Sequence, residues 1–321
     1  MADAPAIDRD EVDLFERSLR GLLDQPQADV AAALDASGWR DFLAVDAPSV
    51  VPVVFHLHGE RVLASGALDD VVFEALGDTG VELRATTAAF VHPLRAADAG
   101  AQRDGDLLVD GVLLADCSDA TVAVVAGARI VTVPASALER STVHGIDPAL
   151  GLVRARGMVS LAGLAMTDDV DTAALTHACR RALAHELLGA VDSMLTSATE
   201  YAGVRQQFGQ PIGAFQAVKH RLADVYVARQ AADAVLQESW RSDPECTTLA
   251  AKALAAHAGA LASEHCLQVF GAIGFTLEHD LHRFVRRVRV LDRLYGSEAA
   301  LRIELGRLLQ RRGRVPRPGA A

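Results

Sequence analysis

Two short stretches carry residues suited to holding a ligand, the first of them an anionic one. The first is Arg205-Gln206-Gln207-Phe208-Gly209-Gln210-Pro211-Ile212, followed by Phe215-Gln216. Gly209 and Pro211 break a helix, which leaves Arg205 at a helix end, beside a turn and the start of the next helix. A guanidinium there can grip a phosphate with two parallel hydrogen bonds, helped by free backbone N–H groups. An arginine in that place can equally cap the carbonyls of its own helix. The second stretch is Gln268-Val269-Phe270-Gly271-Ala272-Ile273-Gly274-Phe275-Thr276. It ends a helix, and its two glycines let backbone approach a ligand closely. An ordinary glycine C-cap would use the same residues.

Other side chains are weaker candidates. Glu278-His279-Asp280-Leu281-His282 has metal-binding residue types without the His-Glu-x-x-His spacing, so no metal site is expected. Arg283, Arg286, Arg287 and Arg289 form a basic run, read as a solvated face or as interface ion pairs. Cys117, Cys179, Cys246 and Cys266 contain no Cys-x-x-Cys pair. Cysteines scattered in this way point to a reducing, cytoplasmic compartment.

These residues need a frame. Val12, Phe15, Leu19 and Leu22 recur at helical spacing. Asp29 is placed to cap a short helix that reaches Ser37 and stops at Gly38. Pro48 to Gly59 and Ala67 to Gly77 read as two further helices. The pattern then turns to strands. Leu107 to Val109 and Val112 to Leu114 flank Asp110-Gly111, which reads as a hairpin turn. Thr121 to Ala126 and Ile130 to Val133 flank Gly127 as a second pair, and Gly157 to Leu161 adds a strand. From Asp168 the chain returns to long helices. Leu183, Leu187, Val191, Met194 and Ala198 make one apolar stripe, and Val218, Leu222, Val225, Ala232 and Leu236 another. Pro244 opens a third helix that runs to about Phe270, and Ser297 to Arg311 is a fourth. Four such helices suggest an up-and-down bundle. Arg311 to Ala321 reads as a frayed tail.

The 321 residues suffice for two or three packed domains. A net charge of −11 argues against a sequence-independent grip on nucleic acid. No apolar run free of charge is long enough to span a membrane, and the acidic start, Met1 to Asp13, has no apolar signal core.

Taken together, in this order and separation, the two stretches resemble the acyl-CoA dehydrogenase family. The resemblance rests on Arg205 to Asp224 (RQQFGQPIGAFQAVKHRLAD), Gln268 to Arg287 (QVFGAIGFTLEHDLHRFVRR) and Tyr295 to Arg307. It is specific over about 167–311 and looser before that. It implies an α+β chain with a shortened N-terminal helical domain (1–79), a reduced β domain (80–165) and a C-terminal four-helix bundle (166–321). It also implies FAD lying across a subunit interface. Arg205 would pair with the pyrophosphate and Phe208 would pack on the cofactor. Gln216, Gln268, Gly271 and Ala272 would line the ADP portion, with Ala272 standing where the family usually has a second glycine.

The family's reaction needs a glutamate that removes the substrate α-proton. Aligned on Gly296, Ser297 and Arg302, one family position for it holds Tyr295. The other, counted back from Arg205, holds Cys179, followed by Arg180. No Thr-Glu-Pro-x-x-Gly-Ser-Asp run and no Trp-Ile-Thr-Asn-like strand occurs. The corresponding stretch, Ala88 to Asp116, contains His92-Pro93-Leu94 instead. The link into the β domain, around Gly77 to Leu83, reads as shortened.

This pattern resembles the short, base-lacking subunits of heterotetrameric acyl-CoA dehydrogenases, many of which act on CoA thioesters from steroid and cholesterol catabolism. It implies a partner subunit that supplies the glutamate and the flavin-ring contacts, an acyl-CoA substrate and an electron-transfer flavoprotein as acceptor. Two alternatives remain at this point: a self-sufficient homo-oligomer with an atypical base, and a flavin-free scaffold subunit.

Overall fold

In the computed structural model the described residues are 7–25, 27–94, 98–117 and 119–313. They form two compact units, Met1–Val54 with Leu63–Ala182, and Phe55–Val62 with Leu183–Ala321.

The first unit opens with five helices: α1 (Arg9–Leu23), α2 (Val30–Ala36), α3 (Trp39–Arg61, which runs on into the second unit), α4 (Ala67–Ala75) and α5 (Asp78–Arg84). Side chains fix their starts. Asp8 Oδ1 accepts the Glu11 N–H at 2.9 Å while Glu11 Oε2 accepts the Asp8 N–H at 3.2 Å, a reciprocal capping box. Asp29 accepts the N–H groups of Ala31 and Ala32, as its position predicts. The helix expected from Pro48 to Gly59 forms the second part of α3, after a kink. Its backbone leaves helical geometry at Asp46 (φ −151°, ψ 73°), whose carboxylate accepts from Ser49 N and Oγ. Asp46 thus caps a fresh helix start, and Pro48 sits where its missing N–H costs nothing. Among the described residues α3 is the one helix long and apolar enough, by length and composition, to cross a membrane. Its Val50, Val51 and Val54 are buried in the protein core. The stretch read as a shortened link is occupied by α5, which follows a turn at Gly77 (φ +56°).

Two four-stranded sheets follow. One has the order β1 (Ala89–Val91), β4 (Thr121–Val125), β5 (Ile130–Pro134), β8 (Ala165–Thr167); the other has β2 (Gly100–Arg103), β3 (Asp106–Leu113), β7 (Val153–Ser160), β6 (Glu139–Thr142). Leu107, Leu113, Val122, Val124, Val131 and Val133 fill the core of this region. The β4–β5 hairpin forms where expected, with Gly127 at φ +67°. The Asp110-Gly111 hairpin does not. Strand β3 runs straight through both residues and pairs with β7 from Asp106↔Ser160 to Leu113↔Val153. The two-residue turn lies instead at Asp104-Gly105 (φ +50° and +88°), between Arg103 and its partner Asp106. Gly111 has another cause: a Cβ there would stand 2.6 Å from the His92 carbonyl oxygen.

The second unit holds most of α6 (Thr172–Val204), the two-strand turn β9 (Gln206–Gln207) and β10 (Gln210–Pro211), then α7 (Gln216–Glu238), α8 (Pro244–Phe270), α9 (Leu281–Arg293) and α10 (Glu298–Arg312). The stripe Leu183, Leu187, Val191, Met194 and Ala198 is completely buried. Helix α8 packs against α7, α9 and α10. Four long helices are present as expected, but α9 is a fifth. Its Arg287 departs from a solvated basic face: it is fully buried, and its Nη1 donates to the buried Glu186 Oε1 at 2.8 Å. The end of α3 crosses α6 at backbone contact. A Cβ on Gly59 would lie 1.9 Å from the Glu186 carbonyl oxygen, and one on Gly189 2.1 Å from that of His56, so only glycine fits either place. In the expected tail, Arg311 and Arg312 belong to α10; 314–321 lie outside the described residues.

Candidate functional site

The two ligand-type stretches meet at one end of the second unit. Helix α6 ends at Val204, and the chain reverses through the β9–β10 turn, closed by the Ile212 N–H donating to the Arg205 carbonyl at 2.8 Å. Phe208 and Gly209 both take left-handed backbone (φ +51° and +78°), which throws the Phe208 ring outward, 91% exposed. Its one ring contact among the described residues is edge-on to Phe215, with centroids 6.1 Å apart. Helix α7 then starts at Gln216 without a side-chain cap; the Val218 N–H donates to the Phe215 carbonyl at 3.1 Å, which leaves the N–H groups of Gln216 and Ala217 open among the described residues. The Arg205 side chain is exposed and has no hydrogen bond or ion pair among the described residues.

At the same end, α8 stops at Phe270. Gly271 caps it at φ +63°, ψ −136°, a region that disfavours any side chain, and no atom lies within 4 Å of where its Cβ would stand. Gly274 is needed for packing, since a Cβ would press on Leu267 and Phe270 at 3.0 Å. Gln268 and Ala272 are exposed. Tyr201, on the last turn of α6, packs on Phe270 with centroids 5.2 Å apart, and Phe270 packs on His279 at 4.0 Å. These three rings tie the hairpin to the Gly271–Phe275 turn. Tyr201 lies outside both sequence stretches, and His279 belongs to the Glu278–His282 run for which no metal site is expected. His279 Nδ1 accepts the Leu281 N–H at 3.1 Å and His282 Nδ1 lies 2.9 Å from the His279 carbonyl oxygen, so both imidazoles serve that turn.

The residues present fit the ADP half of a dinucleotide. The end offers a guanidinium with all its donors available, open helix N–H groups, a presented aromatic face and a bare glycine backbone. It also exposes Val204, Ile273, Phe275 and Leu277, an apolar set large for a monomer surface.

The two glutamate positions are different. Tyr295 is 2% exposed and held at φ +57°. Its turn is clamped by the fully buried Lys252, whose Nζ donates to the carbonyls of Leu291 (2.9 Å), Asp292 (3.4 Å) and Gly296 (3.3 Å). Cys179 lies inside α6 with no exposure. In the stretch that replaces the Thr-Glu-Pro run, His92 is fully buried and its Nε2 lies 3.0 Å from Asp69 Oδ1, which also accepts the Phe90 N–H at 2.8 Å. Tyr295, Cys179 and His92 are all buried.

Comparison with known proteins bears on this geometry. Residues 169–309 match the family model of the acyl-CoA dehydrogenase C-terminal domain. Among curated relatives, the acyl-CoA dehydrogenase IpdE2 of Mycobacterium tuberculosis is 40% identical over 117 residues, covering 36% of this chain and 35% of IpdE2. FadE34 of the same organism is 40% identical over 122 residues, covering 36% of this chain and 17% of FadE34. The match thus spans about a third or less of the length of these relatives. In fold the likeness covers nearly everything. A chain of the Tcur3481-Tcur3483 steroid ACAD superposes with a TM-score of 0.71 at 18% identity, covering 94% of this chain and 96% of that one. A chain of the ChsE4-ChsE5 complex from Mycobacterium tuberculosis superposes with 0.68 at 18% identity, covering 96% and 98%. The fold is that of the acyl-CoA dehydrogenases.

Proposed function

We propose that this chain is the base-lacking subunit of a heteromeric FAD-dependent acyl-CoA dehydrogenase, and that it holds the ADP half of the cofactor. The observation that carries the reading is a contrast within the second unit. Arg205, Phe208, Gln216, Gln268 and Ala272 are exposed, whereas Tyr295, at one glutamate position, is buried in a clamped turn. Cys179, at the other position, is likewise no carboxylate.

Arg205 binds the pyrophosphate as a fork and the α7 N-terminus adds N–H donors. Phe208 covers the cofactor, and Gln216, Gln268, Gly271 and Ala272 line the ADP portion. FAD held by these residues would supply the acceptor for the hydride of the acyl β-carbon. The proton at the α-carbon goes to a glutamate of the partner subunit, because a buried phenol with a reference pKa of about 10 is a poor base. Support for a two-chain assembly comes from the fold neighbours whose names pair two chains, and for a steroid-derived CoA thioester from the one named a steroid ACAD. An electron-transfer flavoprotein is the expected acceptor.

Co-expression with a base-bearing dehydrogenase subunit tests the proposal. The purified complex should show a flavin absorbance band and oxidise acyl-CoA, while this chain alone should do neither. A yellow, active preparation of this chain alone would overturn the reading.

A further inference from the structure

A cavity of about 320 Å³ opens within the first unit, bordered by α2, the start of α3, α4 and α5. Ala31, Leu34 and Phe73 give it apolar walls, and Asp69, Arg40 and Arg84 give it charge. Asp69 is only 8% exposed. Its Oδ1 is occupied by the Phe90 N–H and His92, but its Oδ2 has no hydrogen-bond partner among the described residues. A Cβ built on Gly66 would meet that oxygen at 3.9 Å, ordinary contact distance, and both residues line the cavity. Oδ2 is open to solvent from the cavity, where a ligand N–H can replace water.

The arginines are oriented but not exhausted. Asp70 takes the Arg40 Nε–H at 2.9 Å, an Arg84 Nη1–H at 2.5 Å and the Trp39 Nε1–H at 3.1 Å. Arg40 Nη1 also lies 3.2 Å from Asp35, and the Arg84 guanidinium stacks 4.3 Å from the Phe73 ring centre. Arg40 Nη2 and Arg84 Nε keep free N–H groups among the described residues. The acids oppose a purely anionic ligand and the arginines oppose a purely cationic one. A molecule carrying both charges answers each. The volume is at the small end of ligand sites, which run from about 300 to 1,000 Å³.

We infer that this cavity binds a small zwitterion with an aliphatic side chain, a free α-amino acid of about leucine size. Its ammonium donates to Asp69 Oδ2, its carboxylate accepts from Arg40 and Arg84, and its side chain lies against Leu34 and Phe73. The site uses none of the residues assigned to the cofactor, so it stands or falls separately from that reading.

Calorimetric titration of the full chain tests it with three probes: L-leucine, 3-methylbutylamine and 4-methylpentanoate. Leucine should bind, and each single-charge probe should bind at least about tenfold more weakly, the loss of one charged hydrogen bond. Asp69→Asn should weaken leucine by a similar factor. Since Asp69 also holds Phe90 and His92, Ala31→Phe is the second variant; it narrows the cavity, leaves every charge in place and should also abolish binding. Failure of leucine to bind at millimolar concentrations would overturn the inference. So would a single-charge probe that binds as tightly as leucine, or binding that survives Ala31→Phe.

Discussion

The rings of Tyr201 and Phe270 lie 5.2 Å apart, tilted by 51°, and join the end of α6 to the end of α8. Through this pair the Arg205–Phe208 hairpin and the Gly271–Phe275 turn share one support. Tyr201→Ala should therefore loosen both loops together. Aromatic pairs contribute about 0.5–1.5 kcal/mol beyond their burial, and the truncation also loses the packing of the half-buried ring, so the melting temperature of the chain should fall by several degrees. Flavin retention in the complex should fall more noticeably. Loss of stability with flavin retention unchanged would separate the pair from the site.

The buried Arg287–Glu186 contact, 2.8 Å long, gives a second expectation. Removing one partner leaves an uncompensated buried charge, which costs about 3–5 kcal/mol. Glu186→Leu and Arg287→Met should each lower the denaturation midpoint strongly, and the double variant should recover much of the loss. Additive effects in the double-mutant cycle would show that the two side chains act separately.

His185 sets a pH dependence. Burial, reinforced by His56 and Arg229, pushes its pKa down to about 3, from an ordinary value of 6.5. The folded chain keeps this imidazole neutral, while below pH 6.5 the unfolded chain takes up a proton there. Stability is therefore full above pH 6.5 and is lost as the pH falls toward 3. The slope is about 1.4 kcal/mol per pH unit, or about 2 kcal/mol between pH 6.5 and 5. Urea denaturation at both pH values, compared with His185→Gln, should show the wild type losing that much more. Equal losses would place the acid sensitivity elsewhere.

Tyr295 and Cys179 should be dispensable for chemistry. In the reconstituted complex, Tyr295→Phe and Cys179→Ala, singly and together, should leave turnover near normal. General-base catalysis is worth about a hundredfold or more. A loss of that size with flavin content intact would give this chain a base of its own.

What was legible in the sequence follows from the range of the forces involved. Asp29, Pro244 and Ser297 marked helix starts because capping is local, and Leu183 to Ala198 marked a buried face because its period is local too. The ligand-type residues could be named for the same reason, since a helix end and a glycine turn are short-range features. Asp110-Gly111 misled because two Asp-Gly pairs compete in one segment. Long-range crowding by the His92 carbonyl, invisible in the sequence, explains the glycine in mid-strand. Arg287 misled because Arg283 and Arg289 of the same run are exposed, while its partner Glu186 stands 101 residues away. Tyr201 was missed because its role depends on Phe270, brought close only by the packing of the second unit.

The claim that this chain grips the ADP half of the flavin is tested most directly by titrating FAD into the apo-complex with Arg205 intact or replaced. Arg205→Ala removes a charge-assisted contact worth about 1.5–3 kcal/mol, so the dissociation constant should rise roughly ten- to a hundredfold. Arg205→Lys should recover only part of this, because a point charge cannot reproduce the fork. An FAD affinity unchanged by Arg205→Ala would contradict the assignment.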